Sequence, residues 1–194
     1  MKKEIILASN SPRRKELLLN AGYTFTVESA AFNEDNVSKE LPVNMYVQQL
    51  ALFKACSVAK YSRKDALVIG ADTIVYKKDT GIMGKPESRE DAYKMLKSLS
   101  GTSHSVYTGI AVVRTKDFKI VTDCAQTLVY FKELSDDEIY YYIDKFRPYD
   151  KAGAYGIQEY ASRFVEKIEG DYFNVVGLPV SRLDDLIKKE FVEE

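Results

Sequence analysis

The residues of this chain whose types and spacing could do chemistry begin with Ser9-Asn10-Ser11-Pro12-Arg13-Arg14-Lys15, which follows the apolar run Ile5-Ile6-Leu7-Ala8. Ser11 is a good N-cap and Pro12 a good first helical residue, so a helix is expected over 12–21, closed by Gly22. Its first turn then carries cations where the backbone already presents unpaired N–H groups and the positive end of the dipole. Each such cation costs about 0.3–1 kcal/mol unless an anion answers it. The turn is therefore either a solvated basic surface or the seat of a polyanion held by N–H groups, hydroxyls and guanidinium forks together.

Asp72 is the next anomaly, a carboxylate inside the strand-like run Leu67-Val68-Ile69-Gly70-Ala71-Asp72-Thr73-Ile74-Val75-Tyr76. A buried aspartate persists by accepting several hydrogen bonds, by pairing with a cation or by binding metal. Lys54 is the third anomaly. It falls on the apolar stripe Val43, Val47, Leu50, Ala51 and Val58 of a helix expected from Val43 to about Lys60. A lysine there either snorkels at the margin of the stripe or faces a cleft with a partner.

The elements that must position these groups can be read from period and punctuation. A strand over 4–8, the helix over 12–21 and a second strand over 23–28 lead into an aperiodic acidic stretch, 29–42, that holds Asn33, Glu34, Asp35 and Asn36. Lys77-Lys78-Asp79-Thr80-Gly81 forms a hairpin turn after the Asp72 strand, and the returning segment brings Lys85 back towards Asp72. Gly84-Lys85 is not a phosphate-binding P-loop, because the first glycine of that motif and its hydroxyl residue after the lysine are missing. Ser88 caps a helix over 89–99, and strands over 106–113 and 118–131 follow across the polar link Arg114-Thr115-Lys116-Asp117. His104, the only histidine, is assigned a packing or hydrogen-bonding place at a strand end, and its solitude excludes a multi-histidine metal site. Ser135 caps a further helix, and Asp150 to Gln158, with two glycines, reads as a site loop. A last amphipathic helix follows Pro179, with residues 188–194 expected to fray.

Composition limits the partners. With 28 Lys plus Arg against 29 Asp plus Glu, the chain has no overall field for nucleic acid or an anionic membrane, so any anion site is local. No stretch is long and apolar enough to span a membrane, and the two cysteines, Cys56 and Cys124, with no secretory segment, point to a cytoplasmic protein. The length suits a single domain over 1–194, with a cleft.

The chain resembles the Maf proteins, cytoplasmic nucleotide pyrophosphatases once named for inhibition of septum formation. The likeness rests on Ala8 to Arg14, Gly70-Ala71-Asp72-Thr73, Gly84-Lys85-Pro86, Leu99 to His104, Asp150 to Gln158, Glu169 to Tyr172 and Val176 to Pro179, in the family's order. The resemblance implies an α/β fold, a mixed twisted sheet with flanking helices and two lobes around a central cleft, similar to inosine triphosphate pyrophosphatases and often homodimeric. It further implies hydrolysis of a nucleoside triphosphate to monophosphate and pyrophosphate with a divalent cation, Mg²⁺ or Mn²⁺. By matching motifs, Asp72 is the proton acceptor and a metal ligand, Glu34 a second acidic group at the ion, and Ser9, Arg13, Arg14, Lys54 and Lys85 bind the triphosphate. Asp72 either takes the proton of the attacking water or holds the metal that acidifies it. Arg13, Thr73 and Gln158 match the branch acting on dTTP and UTP, with modified pyrimidine triphosphates accepted as well. Gln158 offers a donor and an acceptor to the alternating edge of uracil or thymine. The chain departs from its relatives at Asn33, where a second acidic side chain is common. The competing class is a non-enzymatic nucleotide-binding regulator of septum formation, which needs the basic surface but not an ionised Asp72.

Overall fold

The computed structural model describes residues 4–62 and 65–191. Among these, seven strands form one mixed sheet in the order β2-β1-β3-β5-β6-β7, with β4 paired to β3. The chain divides into two compact units, one of residues 1–73, 108–125 and 177–194, the other of 74–107 and 126–176.

In the first unit, β1 (Glu4–Leu7) runs parallel to both β2 (Thr26–Val27) and the first half of β3 (Ala66–Lys77). The helix α1 (Pro12–Asn20) starts as its sequence dictates, with the Ser11 hydroxyl accepting the Arg14 N–H. The strand expected over 23–28 shrinks to Thr26–Val27, because β1 offers it only the pairs Ile6 to Thr26 and Leu7 to Val27. Residues 34–36 make a 3-10 turn, and α2 runs from Val43 to Ala59. Ile6, Ala8, Ala51, Ala55, Val58, Val68, Ala111 and Val113 form the core beneath α2.

Small residues decide how close α2 comes. A Cβ on Gly70 of β3 would collide with the Ala51 carbonyl oxygen and lie 2.8 Å from the Ala55 nitrogen. One on Gly109, in β5 (Ser103–Arg114), would strike the Val47 carbonyl. Helix backbone thus rests directly on sheet backbone, which fixes the height of Lys54 over β3. The unit closes with the end of β5, the start of β6 (Ile120–Phe131) and α6 (Val180–Phe191). Of the tail expected to fray, residues 188–191 are the last turn of α6, where the Phe191 ring is buried and lies under the Arg114 and Lys119 cations; residues 192–194 lie outside the described residues.

In the second unit, the end of β3 pairs antiparallel with β4 (Gly81–Met83), Val75 opposite Met83, so the hairpin read from Lys77 to Gly81 forms. The end of β6 pairs antiparallel with β7 (Val165–Glu169). The helices are α3 (Arg89–Leu99), capped by Ser88, α4 (Asp136–Phe146), whose capping box joins Ser135 and Glu138, and the short α5 (Tyr172–Val176). His104 does structural work here. Its Nε2 lies 2.7 Å from the Tyr155 hydroxyl, and its ring packs edge-on against Phe131 and Tyr155. Burial, with a smaller push from Lys77, lowers its pKa to about 4, so the ring is neutral at pH 7.

Candidate functional site

The site of the first unit is built around Lys54. Asp72 stands on β3 two residues past Gly70, and Lys54 stands on α2 between Ala51 and Ala55, the residues that Gly70 allows against the strand. The Lys54 ammonium donates to Asp72 Oδ1 and lies 2.7 Å from Glu34 Oε1, so one cation bridges two carboxylates. Lys54 and Asp72 are largely enclosed, whereas the Glu34 side chain is 57% exposed. Burial pushes the Asp72 carboxyl above its usual range, while the Lys54 and Arg14 charges pull it back. A carboxylate shifted upwards is a more basic proton acceptor than an ordinary one.

Arg14 makes three hydrogen bonds within the protein. Its Nε donates to the Gly177 carbonyl at 2.9 Å, one terminal nitrogen to the Ser9 hydroxyl at 3.3 Å, and the other to the Thr73 hydroxyl at 3.1 Å. Thr73 Oγ1 also lies 2.9 Å from Thr108 Oγ1. The guanidinium thus ties α1, β3, β5 and the segment before α6 together beside Asp72. Desolvation lowers its pKa, opposed first by Asp72. Ser9, itself buried, also accepts the Ser11 N–H at 3.2 Å. Ser9 and Thr73 are accordingly engaged in an internal brace, and Arg13 lies half-buried on the same first turn.

Lys85 and Gln158 belong to the second unit. Lys85 is exposed two residues beyond β4, and Gln158 is exposed between the 3-10 turns 152–154 and 160–164. The loop that carries Gln158 is anchored by Lys151, whose buried ammonium lies 2.9 Å from Asp150 and 3.6 Å from Glu159.

Sequence reasoning named Glu34, Lys54 and Asp72, and the structure brings these three together, with Lys54 between the two carboxylates. It missed Thr108 and Gly177. Thr108, fully buried within the apolar run of β5, carried a signal as a polar residue needing a partner, whereas the Gly177 contact is a backbone carbonyl and carried none. Among the described residues, no three His, Cys, Asp or Glu side chains gather as a cation site, so Glu34 and Asp72 stand as a pair. A pair fits Mg²⁺ or Mn²⁺, which bind through one or two carboxylates and take their other ligands from water and phosphate oxygens.

The family model described as Maf-like protein matches residues 4–190. A protein of Thermoanaerobacter sp. (strain X514), named dTTP/UTP pyrophosphatase, is 54% identical over 188 residues, 97% of each chain. One of Acetivibrio thermocellus with the same name is 52% identical over 191 residues, covering 95% of this chain and 94% of its own. In fold, the chain is similar to the Ham1 protein of Staphylococcus aureus, with a TM-score of 0.54 at 16% identity over 97% of this chain and all of that one. The HAM1 protein of Coxiella burnetii gives 0.51 at 15% identity, over 96% and 99%.

Proposed function

The chain belongs to the Maf-like protein family, and from that premise we propose that it is a metal-dependent pyrophosphatase converting dTTP and UTP to the monophosphate and pyrophosphate. The observation that carries the reading is the buried Asp72, paired through Lys54 with Glu34 in a unit otherwise built on an apolar core. A regulator that merely binds a nucleotide has no need of that carboxylate, and the relatives' names speak for hydrolysis.

Glu34 and Asp72 would hold the divalent cation, which supplies charge neutralisation to the phosphates. Asp72 accepts the proton of the water that attacks the α-phosphorus, forming the new P–O bond as the bond to the β-phosphate oxygen breaks. Lys54 exchanges carboxylate for phosphate oxygens, and Arg13 with the α1 N-terminus takes the remaining negative charge. The Arg14 brace keeps Ser9 and Asp72 at fixed places during that exchange. Lys85 serves the departing pyrophosphate and Gln158 the pyrimidine edge. We assign the enzyme to the cytoplasm as a homodimer on the family resemblance; no helix among the described residues is long and apolar enough to cross a membrane.

Incubation with dTTP and Mn²⁺ or Mg²⁺, followed by anion-exchange chromatography, tests the reading. Equal amounts of dTMP and pyrophosphate are expected, and chelation stops their release. Orthophosphate as first product overturns attack at the α-phosphorus. Competition of dTTP with 7-methyl-GTP tests the base, and preferential loss of the purine overturns that assignment.

A further inference from the structure

The acidic loop meets the core and α2 through alternate residues. Ala30 packs against the core cluster that includes Ala51 and Ala55, the Phe32 ring stacks on Phe53, and Glu34 reaches Lys54. Phe53 and Lys54 are consecutive on α2, so ring stack and ion pair reinforce one another. The phenyl rings lie 5.0 Å apart at 17°.

Several ties hold the loop, Asn10 to Ser29 at its start and buried Val37 at its end among them, and the ring stack is the one nearest Glu34 on the α2 side. An ion pair to a carboxylate as exposed as Glu34 is weak in water. The 3-10 turn that follows adds the single-turn hydrogen bonds Asn36 to Asn33 and Val37 to Glu34, with Val37 buried at its end. Phe53 is a large apolar side chain 40% exposed on the helix surface, and Phe32 covers part of it. Stacked rings hold beyond the area they bury.

We propose that Phe32 and Phe53 are a positioning pair, which holds Glu34 on Lys54 and keeps the acidic loop in its binding arrangement. The affinity half of the inference rests on the metal-binding role proposed for Glu34; the positioning half stands on the geometry alone. Neither ring touches substrate in this assignment. The pair acts through Glu34, by raising the fraction of molecules in which both carboxylates are in place.

Hydrogen exchange of the full, metal-free protein reads that fraction directly. Phe53→Ala and Phe32→Ala are expected to lower protection of residues 29–37 by about threefold to tenfold, the equilibrium equivalent of one aromatic pair, with α2 and β1 unchanged. Phe53→Tyr, which keeps the ring, restores protection. Mn²⁺ titration followed by electron paramagnetic resonance should show dissociation constants at least about twofold weaker in both alanine variants and unaltered in Phe53→Tyr. A merely structural role would lower the melting temperature and leave the Mn²⁺ constant unmoved. Protection within twofold of wild type in both alanine variants overturns the positioning role; lost protection with unchanged Mn²⁺ affinity overturns the link to Glu34. A wild-type protein that binds no Mn²⁺ refutes the metal reading of the site, while the exchange arm still decides the positioning pair.

Discussion

Gly70→Ala puts a single methyl group where α2 rests on β3. Its Cβ would overlap the Ala51 carbonyl oxygen and lie 2.8 Å from the Ala55 nitrogen and 3.0 Å from the Ala55 Cβ. These are helix atoms, so no side-chain rotation relieves them. Restoring carbon contacts of about 3.5 Å requires α2 to withdraw by roughly 1 Å. Overpacking of this kind costs about 1–3 kcal/mol. The same displacement lifts Lys54 off Asp72, and a misplacement of about 1 Å lowers turnover on the order of a hundredfold. Urea unfolding should therefore show a lower midpoint at unchanged slope, and pyrophosphate release from dTTP should fall far more than the folded fraction does. Gly84→Ala, where an added Cβ meets nothing within 4 Å, is the stability control and should stay near wild type. A Gly70→Ala protein within about 0.5 kcal/mol of wild type and within twofold in turnover would refute the claim that helix height sets the Lys54 contact.

Other substitutions separate the roles assigned here. Asp72→Asn is expected to unfold cooperatively like wild type but to lose about a hundredfold or more in turnover at saturating metal, as when a general base is removed; near-wild-type rates would remove Asp72 from the chemistry. Arg14→Lys cannot reach Gly177, Ser9 and Thr73 together, so it should cost on the order of 2 kcal/mol in urea unfolding. Arg13→Lys should instead raise KM for dTTP with a smaller stability loss, and the reverse pattern would exchange the two assignments. His104 has a folded pKa of about 4, below the ordinary 6.5, so only the unfolded chain takes up its proton between those values. Its contribution is fully present above pH 6.5 and is lost as pH falls towards 4, by up to about 3 kcal/mol. Proton NMR of the only histidine checks this, and a ring that titrates near 6.5 in the folded protein would contradict it.

What was legible in the sequence is what local chemistry encodes. Ser11 with Pro12, Ser88 and Ser135 mark helix starts because their hydroxyls satisfy orphan N–H groups a few residues away, and the structure places each start there. The hairpin of β3 and β4 follows from one turn. Lys54 and Asp72 were legible one at a time, as charges in apolar patterns, because burial makes an unpaired charge costly wherever it occurs. The Arg14 brace was not. Its partners Thr73 and Gly177 lie 59 and 163 residues away, and nothing in the composition of α1 says which distant acceptors the folded sheet delivers. The strand over 23–28 failed for a related reason: alternation was present, but a strand is as long as its neighbour's ladder permits, and β1 is short. Phe32 and Phe53, in a loop and on a helix, share no period that would pair them.

The bridging lysine also explains how the site folds before any ligand arrives. Two carboxylates brought to one place would raise each other's pKa and oppose closure of the loop. Glu34 indeed acts on Asp72 in that direction, while the Lys54 and Arg14 charges act against it. The cation that makes the acidic pair tolerable is therefore the same one that binds phosphate in the proposed reaction. Held too tightly by Glu34 and Asp72, Lys54 would resist the exchange; held too weakly, it would leave two desolvated carboxylates facing each other. The uneven exposure of the pair resolves that conflict. Asp72 is enclosed and holds its partner in a low-dielectric setting, whereas Glu34 is mostly in water and gives up its contact at little cost. In the proposed reaction, position 54 would couple fold stability to catalysis through one side that is rigid and one that can let go.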